Sequence, residues 1–314
     1  MSNRIPTTSK EREVKLTSDA EYFEYTSSAN PIAAKIITKV PYRTFDSSLY
    51  AAGETRAITL DISTDLETPY PATAPGLCAH FARVNAGEGL DFDANATSLI
   101  FYVISGKGGA SQQGKELSFG QGDFLTFPGG AGVSIKAETT TCLYHVNDTP
   151  LLSYLGVSVT EQRFQPTLYP AQRAKEELAQ VALMPFAAKR NRISILLGNK
   201  NFPQTRTVTH TLWAMFGIVP AGAVQKPHRH QSVALDFVAD CSPGTYSLVG
   251  TAVDENGNIQ NPQRVDWSPG MAFITPPGYW HAHYNESDKP AYIIPIQDAG
   301  LHTYLRSLDI RFAL

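Results

Sequence analysis

Three histidines stand in two short segments at spacings that suit a metal ion. His228 and His230 are two residues apart in the run Pro227-His-Arg-His230, and residues two apart on a strand point to the same face. His281 follows Pro276-Pro-Gly-Tyr-Trp, where the Pro-Pro-Gly turn delivers it from a second strand. Three imidazoles converging inside a barrel make a site for Fe, Zn, Ni, Cu or Mn, with open positions left for substrate and for water or dioxygen. His283 has the strand parity of His281, and Asp236 that of His228 and His230, so both are candidates to face the cavity and move protons. Phe237, Tyr279 and Trp280 are the aromatic candidates for its walls. His80, His145, His210 and His302 stand alone and read as ordinary surface or hydrogen-bonded residues.

Such a site needs strands around it. From about Ala57 the chain runs in short stretches of β-branched and aromatic residues, such as Ser98 to Ile104 and Gly122 to Pro128, broken by Gly, Pro, Asn and Asp. This pattern predicts an antiparallel sandwich or barrel. It stops near Thr160. Pro170 then opens a connecting helix in which Ala171, Ala174, Leu178, Val181 and Ala182 share a face, and Pro185 ends it. The β pattern resumes from Thr207. The two β regions are similar: Gly122 to Pro128 lines up with Gly270 to Pro276, and the run from Ser98 with that from Ser232, as expected for a duplicated barrel. The division predicted is an N-terminal extension over 1–56, a barrel without metal over 57–165, a helical connector over 166–200 and a metal-binding barrel over 201–314. Within the extension, Ser18 to Glu21 has the form of a capping box opening a short helix through Tyr25. Pro31 to Ile37 could add a strand or cover a barrel edge.

Composition narrows the function. With 314 residues, 42% hydrophobic and 18% charged, the chain has room for two packed domains. A net charge of −3 leaves no basic footprint for nucleic acid. No stretch approaches the roughly 18 apolar residues of a membrane span, and the polar first residues lack the apolar run of a signal peptide. Cys78, Cys142 and Cys241 have no paired spacing and read as reduced thiols. A cytoplasmic protein follows, and edge strands of such barrels favour a homo-oligomer, a dimer or tetramer.

The two histidine segments resemble the paired motifs of the cupin superfamily, whose fold is the double-stranded β-helix or jelly roll. The second motif is matched at Gly270, Pro276, Gly278, His281 and Asn285, and the first at Gly222, His228 and His230. The motif's glutamate is missing, with Ala234 and Leu235 in its place. Three neutral imidazoles leave a divalent ion at +2, which attracts an anionic chelating ligand more strongly than a site with a carboxylate would.

The run from His228 to Phe237, with Phe273 to Asn285 downstream, further resembles gentisate 1,2-dioxygenase and its relatives. These cleave hydroxylated aromatic acids at a three-histidine ferrous site. The resemblance implies an Fe(II)-dependent ring-cleaving dioxygenase with His228, His230 and His281 as ligands, His283 near substrate and dioxygen, and a small-molecule acid as substrate. Zn, Ni or Mn would instead suit a cupin isomerase or hydrolase on a sugar-like substrate, and a non-catalytic ligand-binding protein is the third reading. The chain departs from the family twice. Its metal-bearing barrel comes second, the first having Asp93 to Ala96 and Val133 where histidines would fall. Asp236 also stands where the family has an inward arginine, and an acid there would repel a carboxylate and favour a hydroxylated or cationic group.

Overall fold

The structure, a computed structural model, describes residues 16–185, 187 and 191–313. The chain divides into two units, Met1–Lys39 and Val40–Leu314. In the first, the expected helix is displaced. It spans Tyr25–Ser28 because the Glu24 carboxylate, not Ser18, takes the free backbone N–H groups of Thr26 and Ser27, each at 2.8 Å. The Ser18 hydroxyl is turned to Asp19 instead. Pro31 to Ile37 forms turns and bends rather than a strand.

The larger unit is built almost wholly of antiparallel strands in four sheets. One six-stranded sheet runs in the order Arg56–Thr59, Cys78–Val84, Thr141–Asn147, Ser98–Ser105, Phe124–Pro128 and Thr167–Tyr169. A four-stranded sheet of Gly89–Phe92, Val133–Ala137, Lys107–Gln112 and Lys115–Gly120 faces it across the first barrel. The second barrel repeats the plan. Its six-stranded sheet runs Thr44–Phe45, Ala272–Thr275, Ala234–Asp240, Ala291–Gln297, Trp213–Val219 and Ile193–Leu196. Its smaller sheet runs Gln263–Asp266, Thr245–Gly250, Trp280–Asn285, Val224–Arg229 and Arg311–Phe312.

The two large sheets are buried on both faces, which is why their strands read as nearly continuous apolar runs. In Ser98–Ser105, Leu99, Phe101 and Val103 fill the first barrel, while Ile100 joins a layer shared between the barrels. In Ala234–Asp240 the parity works the same way: Leu235 and Phe237 enter the shared layer and Val238 enters the second barrel. Side-chain period two therefore decides which residues can reach a cavity.

The chain outside the barrels is more engaged than its composition suggests. Thr44–Phe45 pairs with Ala272–Thr275, adding an edge strand to the second barrel. Next to it the Tyr50 hydroxyl donates to the carbonyl of Gly270 at 2.9 Å, leaving no room for a Cβ there. The connecting helix spans Ala171–Leu183 and buries Ala174 and Leu178. The segment expected to be a helical connector also contributes two strands: Thr167–Tyr169 pairs with the first barrel and Ile193–Leu196 with the second. All three cysteines are buried and unpaired. Among the described residues no helix is long and apolar enough to cross a membrane.

Candidate metal centre

His228 is the penultimate residue of the strand Val224–Arg229, and His281 sits directly opposite it on Trp280–Asn285. His230 lies just beyond the first strand. Its carbonyl accepts the Gly278 N–H at 2.7 Å, and Gly278 has φ of +75°, a conformation glycine adopts without strain. That bond ties the turn carrying His281 to His230. One ring nitrogen from each of the three histidines lies within 4.8 Å of the others. All three are buried, and the His228 and His281 ring centres are 4.0 Å apart.

The hydrogen bonds assign the free lone pairs. His230 Nδ1 donates to the Ser232 carbonyl at 2.8 Å, so its Nε2 is unprotonated, and that atom is buried without a partner. His281 Nδ1 donates to the Tyr279 carbonyl at 3.1 Å, again leaving Nε2 as the acceptor. His228 Nε2 accepts from Arg192 Nη2 at 2.8 Å. Burial pushes the His230 imidazole down to about 4. It holds His228 and His281 well below the usual range, helped by a neighbouring imidazole, His281 for the first and His230 for the second, and by the Arg192 charge. Neutral imidazoles with lone pairs turned inward are the donor set a divalent transition metal takes. An orphaned buried acceptor such as His230 Nε2 is otherwise costly, so the residues fit a metal ion.

His283 is fully buried beside them and held by three residues that lie outside the motifs. Its Nδ1 bonds the Ser247 hydroxyl at 2.7 Å, and Ser247 also accepts from Trp267 Nε1 at 2.9 Å. Its Nε2 accepts from Arg192 Nη2 at 3.1 Å, which places the ring proton on Nδ1. Arg192 immediately precedes the strand Ile193–Leu196, and its Nε is shielded from solvent with no partner. Burial lowers the guanidinium to about 10, opposed by the attraction of Asp236, so it stays charged at neutral pH. Nothing in the spacing around Arg192 announces this role; Ser247 and Trp267 likewise became legible only when the register set Ser247 opposite His283.

Asp236 is buried, and its Oδ2 accepts the Thr275 hydroxyl at 2.6 Å. Burial pushes its carboxyl up to about 6, with the Thr275 hydroxyl and the Arg192 charge pulling the other way. It stands outside the group of three histidines that could share an ion. The aromatic walls divide. Tyr279 packs against the interior cluster of the second barrel. Phe237 does not: one residue past Asp236, it faces the shared layer, with its ring centre 5.0 Å from that of Tyr144. Trp280 alternates with His281 and lies on the outer side, where Arg229 stands over its ring at 5.4 Å. In the first barrel Val133 and Phe92 are core residues, and His145 is buried against the Phe101 ring with its Nδ1 hydrogen-bonded to the Ile100 carbonyl at 3.0 Å.

Residues 215–297 match the family model described as the cupin domain. That stretch lies within the second barrel. The two barrels together resemble crystal structures of salicylate 1,2-dioxygenase from Pseudaminobacter salicylatoxidans, one with a TM-score of 0.73 at 13% identity, covering 98% of this chain and 99% of that one. Another, an adduct with gentisate, gives 0.71 at 13% identity and covers 99% and 96%. At that identity the likeness shows the fold. In sequence, the chain is 31% identical over 144 residues to gentisate 1,2 dioxygenase 1 of Aquipseudomonas alcaligenes, a stretch covering 45% of this chain. The chain spans 38% of the length of that curated relative.

Proposed function

We propose that the second barrel binds ferrous iron on His228, His230 and His281 and that the protein is a dioxygenase cleaving the ring of a hydroxylated aromatic acid. The observation that carries this reading is the half-buried Arg192 guanidinium, its Nε shielded from solvent, set against His228 and His283. A positive charge drawn partly out of water beside a dicationic metal site calls for an anion, and an aromatic acid with an adjacent hydroxyl supplies one together with chelating oxygens. The relatives named above act on acids of this kind by their names.

A ferrous ion would supply chelation of the substrate oxygens and one-electron chemistry with dioxygen. The chain's own residues do the rest. Arg192 offers a planar fork of N–H donors to the substrate carboxylate. His228 Nε2 accepts from Arg192 in this structure, so that lone pair would be open to an ion if Nη2 turned to the carboxylate. His283 Nε2, its ring held by Ser247, would accept a proton from a substrate hydroxyl once Arg192 turns to the carboxylate. The apolar interior around Trp267 and Phe273 keeps bulk water from the reacting ring.

Dioxygen uptake by the iron-loaded protein with salicylate, gentisate and 1-hydroxy-2-naphthoate tests the reading. Uptake matched to loss of the aromatic absorbance of at least one acid is expected, and none with any of them would overturn it. The buried carboxylate of Asp236 favours one second reading, non-oxidative metal chemistry on a hydroxyl-rich ligand. Turnover of a sugar-like substrate without dioxygen consumption would put it first.

A further inference from the structure

We propose that the cleft between the two barrels, walled by the connecting helix, is a second ligand site, which takes a small molecule with a ring-sized apolar body and a cationic amine. The inference is independent of the metal reading, because the cleft and the three histidines lie on opposite sides of one sheet.

That separation follows from strand parity. On Trp213–Val219 and Ala291–Gln297, Val219 and Ile293 belong to the interior of the second barrel, whereas Phe216, Ile218 and Tyr292 point away from it into the layer shared with the first. Phe216 and Tyr292 stack there with ring centres 5.7 Å apart and planes 15° from parallel. The first barrel contributes Tyr102 and Phe124, whose ring centres are 4.9 Å apart, and Phe124 lies 6.4 Å from Phe216. Four rings from two barrels thus form one continuous aromatic floor. The helix Ala171–Leu183 faces it with small side chains at Ala174, Ala179 and Ala182. The space they leave is a cleft of about 870 Å³, within the roughly 300–1,000 Å³ of small-molecule sites.

One negative charge borders this floor. Asp240 ends the strand Ala234–Asp240 and stands directly opposite Tyr292 in the ladder. It is exposed and takes no hydrogen bond or ion pair from any described residue. Burial pushes the Tyr102 hydroxyl up to about 12, and the Asp240 charge acts in the same direction, so the phenol stays protonated. Lys175 also borders the cleft, from an exposed position on the helix, and its flexible stem lets the ammonium stay in water.

The aromatic faces and the unpaired carboxylate attract the same group. A cation is drawn to the negative face of a ring, and an N–H donor that carries charge bonds a carboxylate more strongly than a neutral donor does. An anion would be repelled by Asp240, and a purely apolar molecule would gain nothing from it. A ring-sized body on the floor with an amine at Asp240 uses both features.

Calorimetry of the full chain with tryptamine and with tryptophol tests the proposal. The two probes share an indole and an ethylene arm and differ in an ammonium against a hydroxyl, and neither carries a carboxylate for the metal site. Tryptamine should bind about tenfold or more tighter than tryptophol. It should also raise the midpoint of thermal unfolding, as any ligand of the folded state does. Asp240→Asn should close the gap between the probes, and Ala179→Trp, which fills the cleft, should abolish binding of both. Both substitutions fall at exposed positions, and the unfolding midpoints of the unliganded variants check that they fold. No binding of tryptamine to the wild-type protein, a gap that persists in Asp240→Asn, or unchanged affinity in Ala179→Trp would each overturn the proposal. A change of oligomeric state in Ala179→Trp, read by sedimentation, would assign the cleft to a contact between copies of the chain and overturn it as well.

Discussion

Nη2 of Arg192 stands 2.8 Å from Nε2 of His228 and 3.1 Å from Nε2 of His283, so a single guanidinium nitrogen spans two rings of the cluster. The two rings sit on different strands, and the arginine comes from a third, at the far edge of the opposite sheet. This contact joins the two sheets of the second barrel. It also brings a permanent positive charge to a group of imidazoles that burial keeps neutral.

Arg192→Gln should keep the bound metal and lose the acid. A neutral amide can still donate to His228 or His283, but it gives up the charge and the fork geometry. Affinity of the zinc-loaded protein for salicylate is expected to fall about tenfold to a hundredfold, reflecting a charged hydrogen bond of roughly 1.5–3 kcal/mol. Equilibrium dialysis checks this. Loss of metal instead of acid affinity would show that the arginine serves the cluster and not the ligand.

Phe237→Ala should act on stability and leave metal content alone. The ring is fully buried and packs on Tyr144, Tyr102 and Phe81 from the first barrel. Truncating such a residue costs about 3–5 kcal/mol through lost burial and a residual cavity. Thermal unfolding gives the cost. A variant of wild-type stability with altered ligand affinity would return Phe237 to the pocket wall.

Asp298 supplies the dependence on pH. Burial pushes its carboxyl up to about 7, against the Val233 N–H that bonds it at 2.9 Å. The folded protein therefore holds this proton at pH values where the unfolded chain has released it. The stabilisation is fully present below about pH 4 and is lost as pH rises through 7, with a total on the order of 4 kcal/mol. In Asp298→Asn this dependence is absent. The difference in unfolding free energy between wild type and variant should shift against the wild type from pH 4 to 8, and a flat difference would contradict it.

The sequence was most legible where a motif coincides with strand parity. The His228 and His230 pair, the turn at Gly278 and His281 are all local features, and each is where the spacing places it. The walls were harder, because Phe237 and Trp280 sit one residue from inward-facing neighbours and parity sends them outward; treating adjacency in sequence as adjacency in space was the error. Arg192 was not legible at all. It lies in a segment that reads as a connector, and only the pairing of Ile193–Leu196 with Trp213–Val219 brings it over the barrel. The Tyr25–Ser28 helix shows the same limit on a smaller scale: the spacing pointed to Ser18 as the cap, and the Glu24 carboxylate bonds the backbone instead.

The central claim is that three neutral imidazoles hold one metal ion, and elemental analysis of untagged protein purified without oxygen tests it most directly. About one iron per chain is expected, falling to background in His230→Ala while that variant keeps its fold by circular dichroism. Wild-type protein that takes up no iron, zinc, nickel or manganese after reconstitution, or a His230→Ala variant that retains its full metal content, would contradict it.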